Sequence, residues 1–292
     1  MTVQGLQGST VLASDLDRTL IYSPSALQLP GTDEQAPTLV SVEVIEGRPH
    51  SFMTLTTALR LAALSRQSVF VPTTTRTIAQ FRRIGFVGIT HGWAITSNGG
   101  NILRQGVPDR DWNAAAHAGI AGTGASLAEV KDELKHRSDP AWMLKRRTGD
   151  DLFCYAVVDI AQLPTGFIDD WRAWCDERGW RVSVQGRKIY AIPGSLSKEN
   201  ALAEVKQRAG ASTVLASGDG ALDAGFLAAA TAGLRPPHGE LAAVGWTHPT
   251  VAVTEHAGVL AADDITAWFA DRVGLDLGDL DPDALAAAVA VS

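Results

Sequence analysis

A doubly wound α/β domain, with a parallel sheet and an inserted α+β unit, is the architecture that three observations predict. Short apolar runs at 10–14, 68–71, 93–96, 213–216 and 250–253 end abruptly at polar or Gly-rich turns, as strands buried on both faces do. Between them lie segments with helical spacing at 55–64, 78–84, 199–208 and 222–230, an alternation that places helices on both sides of a parallel sheet. The stretch from about 109 to about 192 departs from this rhythm. There a Gly-rich loop (119–124) and a helix (127–137) precede a strand (152–158), a helix (167–178) and two strands (180–184 and 188–192), the pattern of antiparallel pairing. The flanks, 1–107 and 191–292, then form one discontinuous core, and 108–190 an inserted domain.

The first run, Val11-Leu12-Ala13-Ser14, leads into Asp15-Leu16-Asp17 at the end of a strand where open α/β sheets bind ligands. Positions i and i+2 of an extended chain point the same way, so both carboxylates can address one ligand; the pair can equally close a strand and cap a turn. Segment 23–48, with Pro24, Pro30, Gly31, Pro37 and Gly47, reads as an excursion or flap holding one strand at 39–44. A second acidic turn, Gly218-Asp219-Gly220-Ala221-Leu222-Asp223, follows another apolar run. Its glycines let the backbone turn tightly beside a ligand, and Asp223 follows one helical turn after Asp219. Converging acids would repel and raise one another's pKa, whereas Mg²⁺ takes oxygen ligands, so the convergence implies a cation. Past Asp281-Pro282-Asp283 the Ala- and Leu-rich end reads as a capped helix.

Composition narrows the class further. At 292 residues, 46% hydrophobic and 20% charged, the chain is that of a globular protein with room for one large or two ordinary domains. Acidic residues outnumber basic ones, 32 to 25, and the net charge of -7 argues against nucleic acid as a partner. Cys154 and Cys175 are too far apart for a redox or zinc motif, no run reaches the length of a membrane span, and the first residues lack a signal peptide, which points to the cytoplasm. No histidines form a HExxH pair, no P-loop is present, and Ser195-Leu196-Ser197-Lys198 matches SxxK without its partner motifs. Trp171 and Trp174 are read as core or domain-interface residues, with sugar stacking as the alternative. Lys145 and Arg147, in a basic triplet before a strand, are candidate contacts for an anionic substrate, against the ordinary reading of a solvated edge.

Taken in order, these segments resemble the four motifs of the haloacid dehalogenase superfamily. Asp15-Leu16-Asp17-Arg18-Thr19-Leu20 is similar to the first, and Val69-Phe70-Val71-Pro72-Thr73-Thr74-Thr75-Arg76 to the second. Lys198 matches the third, and the Gly218–Asp223 turn the fourth. Ser97-Asn98-Gly99-Gly100 resembles a turn of the subgroup whose large inserted cap is of the C2 type, as in sucrose-phosphatase-like members. The resemblance implies a phosphatase. Asp15 would be the nucleophile forming an aspartyl-phosphate, Asp17 the general acid and base, and Thr74, with Thr75, and Lys198 the phosphoryl ligands. Mg²⁺ would be held by Asp15, the Asp17 carbonyl and Asp219, with Asp223 in support. Asn98, Arg76, Lys145 and Arg147 are its candidate substrate contacts. Pro72 and Leu222, the latter where relatives commonly have Asn, depart from the pattern. A small phosphorylated metabolite, a sugar phosphate by analogy, is the expected substrate; a phosphosugar mutase and a non-catalytic metal- or phosphate-binding regulator are the alternatives.

Overall fold

The structure, a computed structural model, describes residues 9–276 apart from 87 and 123; the helix expected beyond 281 lies outside the described residues. The chain begins with β1 (Ser9–Ser14), whose Val11, Leu12 and Ala13 are fully buried. A two-stranded excursion follows, β2 (Leu39–Ile45) and β3 (Arg48–Thr54), joined by a tight turn in which Glu46 and Gly47 both take positive φ. Helix α1 (Leu55–Gln67) starts at Thr54, whose hydroxyl accepts the Thr57 N–H. Next come β4 (Val69–Pro72), the one-turn α2 (Ile78–Phe81), and an antiparallel ribbon of β5 (Trp93–Thr96), β6 (Asn101–Arg104) and β7 (Val107–Pro108).

The middle of the chain supplies α3 (Arg110–Ala121), α4 (Leu127–His136), β8 (Met143–Gly149), β9 (Phe153–Val158), α5 (Phe167–Asp176), β10 (Trp180–Gln185) and β11 (Lys188–Pro193). The chain then returns through α6 (Lys198–Arg208), β12 (Ala211–Ser217), α7 (Ala224–Ala229), β13 (Ala232–Arg235), α8 (Glu240–Ala243), β14 (Val251–Val253) and α9 (Leu260–Val273).

The main sheet is parallel, in the order β14-β13-β12-β1-β4, and β5 continues it past β4 through the pairing of Thr73 with Ile95. Alternate residues of its central strands feed two separate cores. Leu12, Phe70 and Leu215 pack with α1 and α9, whereas Val11, Ala13, Val71, Val214 and Ala216 pack with α6 and α7. Helices thus cover both faces, which is why these strands read as unbroken apolar runs.

A second sheet, antiparallel in the order β10-β11-β9-β8, carries α4 and α5 on one face. Its core runs from Ile120 to Leu196 and includes Val130, Leu134, Cys154, Trp171 and Cys175. Trp171 is buried there, stacked on Trp174 with centroids 5.3 Å apart. Three local readings differ from the structure. The loop expected at 119–124 begins inside α3, because the Ala-rich stretch before Gly119 continues the helix. Lys145, Arg146 and Arg147 lie within a strand, β8, which as an exposed edge needs no apolar run. The domain boundary read at 190/191 falls within β11, which stays paired with β10 as far as Pro193.

Candidate active site

β1 and β12 lie side by side and in register, Ser14 against Ser217, so the acidic turns that follow them meet at one edge of the sheet. The Asp15 N–H donates to the Ser217 carbonyl at 2.9 Å, which fixes the nucleophile candidate to the neighbouring strand. After Asp15 the chain coils tightly: the Leu16 carbonyl accepts from the N–H groups of Leu20 and Ile21, and Arg18 is held at φ 65°. Gly258 donates to His238 Nδ1 and His238 Nε2 donates to the Arg18 carbonyl at 2.8 Å, pinning that strained turn.

Lys198 opens α6, where Ser197 caps the helix by accepting the Asn200 N–H. The turn before it is braced from the opposite segment. Asn98 Nδ2 donates to the Leu196 carbonyl at 3.3 Å, and a Cβ on Gly99, at φ 93°, would sit 2.1 Å from the Ser197 carbonyl. Only glycine fits there. Lys198 is 1% exposed, and its ammonium donates to Asp15 Oδ1 and to Asp223 Oδ1, each at 2.6 Å. The other Asp223 oxygen accepts the N–H groups of Asp219 and Gly220, at 3.0 and 2.8 Å, closing the acidic loop on itself.

Asp15, Asp219 and Asp223 offer carboxylate oxygens that all lie within 4.8 Å of one another. Burial, with Asp223 and Asp17 adding repulsion against the pull of Lys198, raises Asp15 to about 7. Burial likewise pushes Asp219 well above the usual carboxylate range, reinforced by Asp15 and Asp223 and only partly offset by Arg18 and Lys198. Three hard oxygen donors with more negative charge than Lys198 and Arg18 balance fit a hard divalent cation.

Asp17 behaves differently. Loss of solvation opposes its ionisation, but Arg76 holds it at about 2 through charge and a two-pronged contact, Nε to Oδ2 at 2.7 Å and Nη2 to Oδ1 at 2.8 Å. Arg76 Nη1 also meets Glu43 Oε2 at 2.9 Å, and Arg83 and Ser51 donate to the same glutamate. Glu43 lies on β2, so one guanidinium joins Asp17 to the β2–β3 hairpin. Nothing in the sequence marks Glu43; its partners come from distant segments. Glu43→Ala removes a buried anion from between two arginines and is expected to lower stability by about 2–4 kcal/mol, read as a shifted midpoint in urea denaturation; an unchanged midpoint would show the cluster to be energetically neutral.

Among the second-motif threonines, Thr73 is engaged in the sheet, its N–H donating to the Ser14 carbonyl. Thr74 accepts the Arg76 N–H on its hydroxyl, and the Thr75 hydroxyl is buried without a partner. Pro72 removes one donor, yet Thr73 and Thr74, through its N–H to the Ile95 carbonyl, carry the ladder on. Leu222 packs against the hydrophobic core of the smaller sheet, which gives its apolar side chain a physical reason.

That smaller sheet docks over the site and is held at both edges. Glu240 accepts from Ser183 Oγ at 2.6 Å and the Val184 N–H at 2.7 Å on β10. Asp150, in the β8–β9 turn, accepts from Ser97 and from the Ile78 N–H at 2.9 Å. Neither carboxylate stood out in the sequence. Lys145 and Arg147 are exposed on β8, apart from the buried cluster. No helix among the described residues is long and apolar enough to cross a membrane.

Neither a known protein family nor any curated protein matches the chain. Solved structures do resemble it. A sucrose-phosphatase from Synechocystis, in complex with sucrose and phosphate, is 16% identical with a TM-score of 0.59, over 90% of this chain and 98% of that one. A protein from Thermoplasma acidophilum is 11% identical with a TM-score of 0.60, over 92% and 100%. A subclass IIB sugar phosphatase of the HAD superfamily is 12% identical with a TM-score of 0.55, over 92% and 100%. At these identities the likeness is one of fold alone.

Proposed function

We propose that this chain is a phosphatase that hydrolyses the monoester of a small phosphorylated metabolite, through an aspartyl-phosphate on Asp15. The observation that carries the reading is the buried meeting of Asp15, Lys198, Asp219 and Asp223, drawn from three segments to the end of the central strands. The named activities of two fold neighbours, sucrose-phosphatase and sugar phosphatase, favour a sugar phosphate. In this reading 108–190 is the cap that selects the leaving group.

Asp15 Oδ attacks phosphorus, forming one P–O bond as the bond to the ester oxygen breaks. Asp17 gives that oxygen a proton, then takes one from the water that cleaves the acyl phosphate. Lys198, with the hydroxyls of Thr74 and Thr75, faces the charge on the phosphoryl oxygens. Mg²⁺ would be held by Asp15, Asp219 and the Asp17 carbonyl, with Asp223 supporting the loop, and would supply positive charge to the phosphoryl group. Asp17 is ionised while Arg76 grips it. Protonation therefore requires that grip to loosen, and a phosphoryl dianion competing for the guanidinium would loosen it. Arg76 thereby acts on the substrate as well as on Asp17.

Phosphate release from p-nitrophenyl phosphate tests the reading. With Mg²⁺ we expect turnover, falling at least about 100-fold in chelator, as the loss of a charge-stabilising group predicts. Purified, folded protein that releases no phosphate with Mg²⁺ would overturn it.

A further inference from the structure

The face of the smaller sheet that looks toward the core carries cations without partners. Residues directly opposite one another across antiparallel strands share a face. Two rows follow from the pairing. One runs Ser183, Tyr190, Tyr155, Arg147, and the next Gln185, Lys188, Val157, Lys145, from β10 across β11 and β9 to β8. Two contacts show where this face looks: Ser183 meets Glu240, and the Tyr155 hydroxyl accepts from Gln80 Nε2 at 3.1 Å. Lys188 is close enough to Asp17 for its charge to favour ionisation of that carboxyl, and Tyr190, kept neutral chiefly by burial, lies within reach of the Asp17 charge. The opposite face, with Cys154 and Ala156, belongs to the α4 and α5 side, where Arg146 lines a cavity with Lys131 and Lys135 that Arg147, on the same edge strand, also borders.

Among the described residues Arg18, Arg76 and Lys198 each have a carboxylate within salt-bridge range, and Lys188, Arg147 and Lys145 have none. Lys188 is half-buried on the core-facing side of the sheet. The charge of Asp17 reaches Lys188, but both Asp17 oxygens are taken by Arg76 and no carboxylate among the described residues lies within salt-bridge range of Lys188, which leaves its ammonium open to a ligand anion. The scissile phosphoryl group is not that anion, because Lys198 and the threonines take it. Strand spacing puts Arg147 about 10 Å from β11, so Lys188 stands nearest the ester and Arg147 farther out along the leaving group.

We infer that the substrate carries a second anionic group, a carboxylate or a further phosphate, on its leaving-group side, and that Lys188, seconded by Arg147, receives it. This rests on the phosphatase reading above. The test compares kcat/KM of the Mg²⁺-loaded full chain for p-nitrophenyl phosphate, glucose 6-phosphate, 6-phosphogluconate and fructose 1,6-bisphosphate. At least one acidic ester should exceed glucose 6-phosphate by about tenfold or more, chiefly through KM, as a charge-assisted contact provides; whether the carboxylate or the bisphosphate leads identifies the anion. Lys188→Met should erase most of that ratio, and Arg147→Met part of it. Turnover of the aryl phosphate with glucose 6-phosphate equal to or better than both acidic esters overturns the inference and leaves the phosphatase reading intact. Failure on every ester, the aryl phosphate included, overturns both. Should Lys188→Met lower all esters alike, Lys188 is structural and its assignment falls; should that variant not fold, the wild-type ratio and its loss in the exposed Arg147→Met decide.

Discussion

Asp15→Asn should abolish phosphate release, lowering kcat by about 10⁴-fold or more, while raising the melting temperature of the cation-free protein at pH 8. The first half follows from replacing a nucleophilic oxyanion with an amide. The second follows from the burial that lifts Asp15 from 3.8 to about 7. Because the folded protein binds that proton more tightly than the unfolded chain, the stabilisation is complete below about pH 4 and is lost as pH rises through 7. Asp219 shifts the same way, and Asp17 the opposite way: held at about 2, it contributes fully above pH 4 and only loses that contribution in strong acid. Between pH 4 and 8 His91 and His238, shifted down by burial, and His256, shifted up by Asp264, titrate as well, so the part of the slope due to Asp15 is the difference between wild type and variant. Thermal melts in chelator should show wild type losing stability across that window and Asp15→Asn losing less. A variant that melts below wild type at pH 8, or that still turns over, would show that Asp15 is not the strained nucleophile described.

Lys198→Met should be the most damaging single change to the fold at this site. Its ammonium lies 2.6 Å from both Asp15 and Asp223, and methionine of similar length leaves those carboxylates buried without a counter-charge. Breaking a buried ion pair from one side costs about 3–5 kcal/mol, and loss of a phosphoryl-binding donor about 10²–10³ in kcat. Urea denaturation measures the first and phosphate release the second. Mg²⁺ should recover part of the stability, because it offers the same carboxylates positive charge, and little of the rate. Recovery of rate along with stability would mean that Lys198 serves only to neutralise the acids.

Much of this site could be read in the sequence because its strands are local events. β1 and β12 announce themselves as apolar runs ending in Asp, and their adjacency brings Asp15 to Asp219 without any further signal. β13 gives no such signal: Ala-Gly-Leu-Arg lacks β-branched residues, and it forms because Gly233 lets β14 approach, where a Cβ would meet Val251 at 2.9 Å. β3 is disguised by Pro49 and His50 on its exposed half. The clamp on Arg76 is hidden for a different reason. Glu43, Arg76 and Asp17 come from a strand and two separate turns, and nothing in the spacing of any one of them requires the others.

Glu240 and Asp150 grip opposite edges of the smaller sheet, at β10 and at the β8–β9 turn. With the Gln80–Tyr155 hydrogen bond between them, these clasps hold the sheet against the core at three points across its width. Asp15 lies beneath the sheet, 6% exposed. Any route to Asp15 that lifts the sheet must break these hydrogen bonds, and through the Ala221 N–H that Glu240 also accepts, one of them is tied to the loop carrying Asp219 and Asp223.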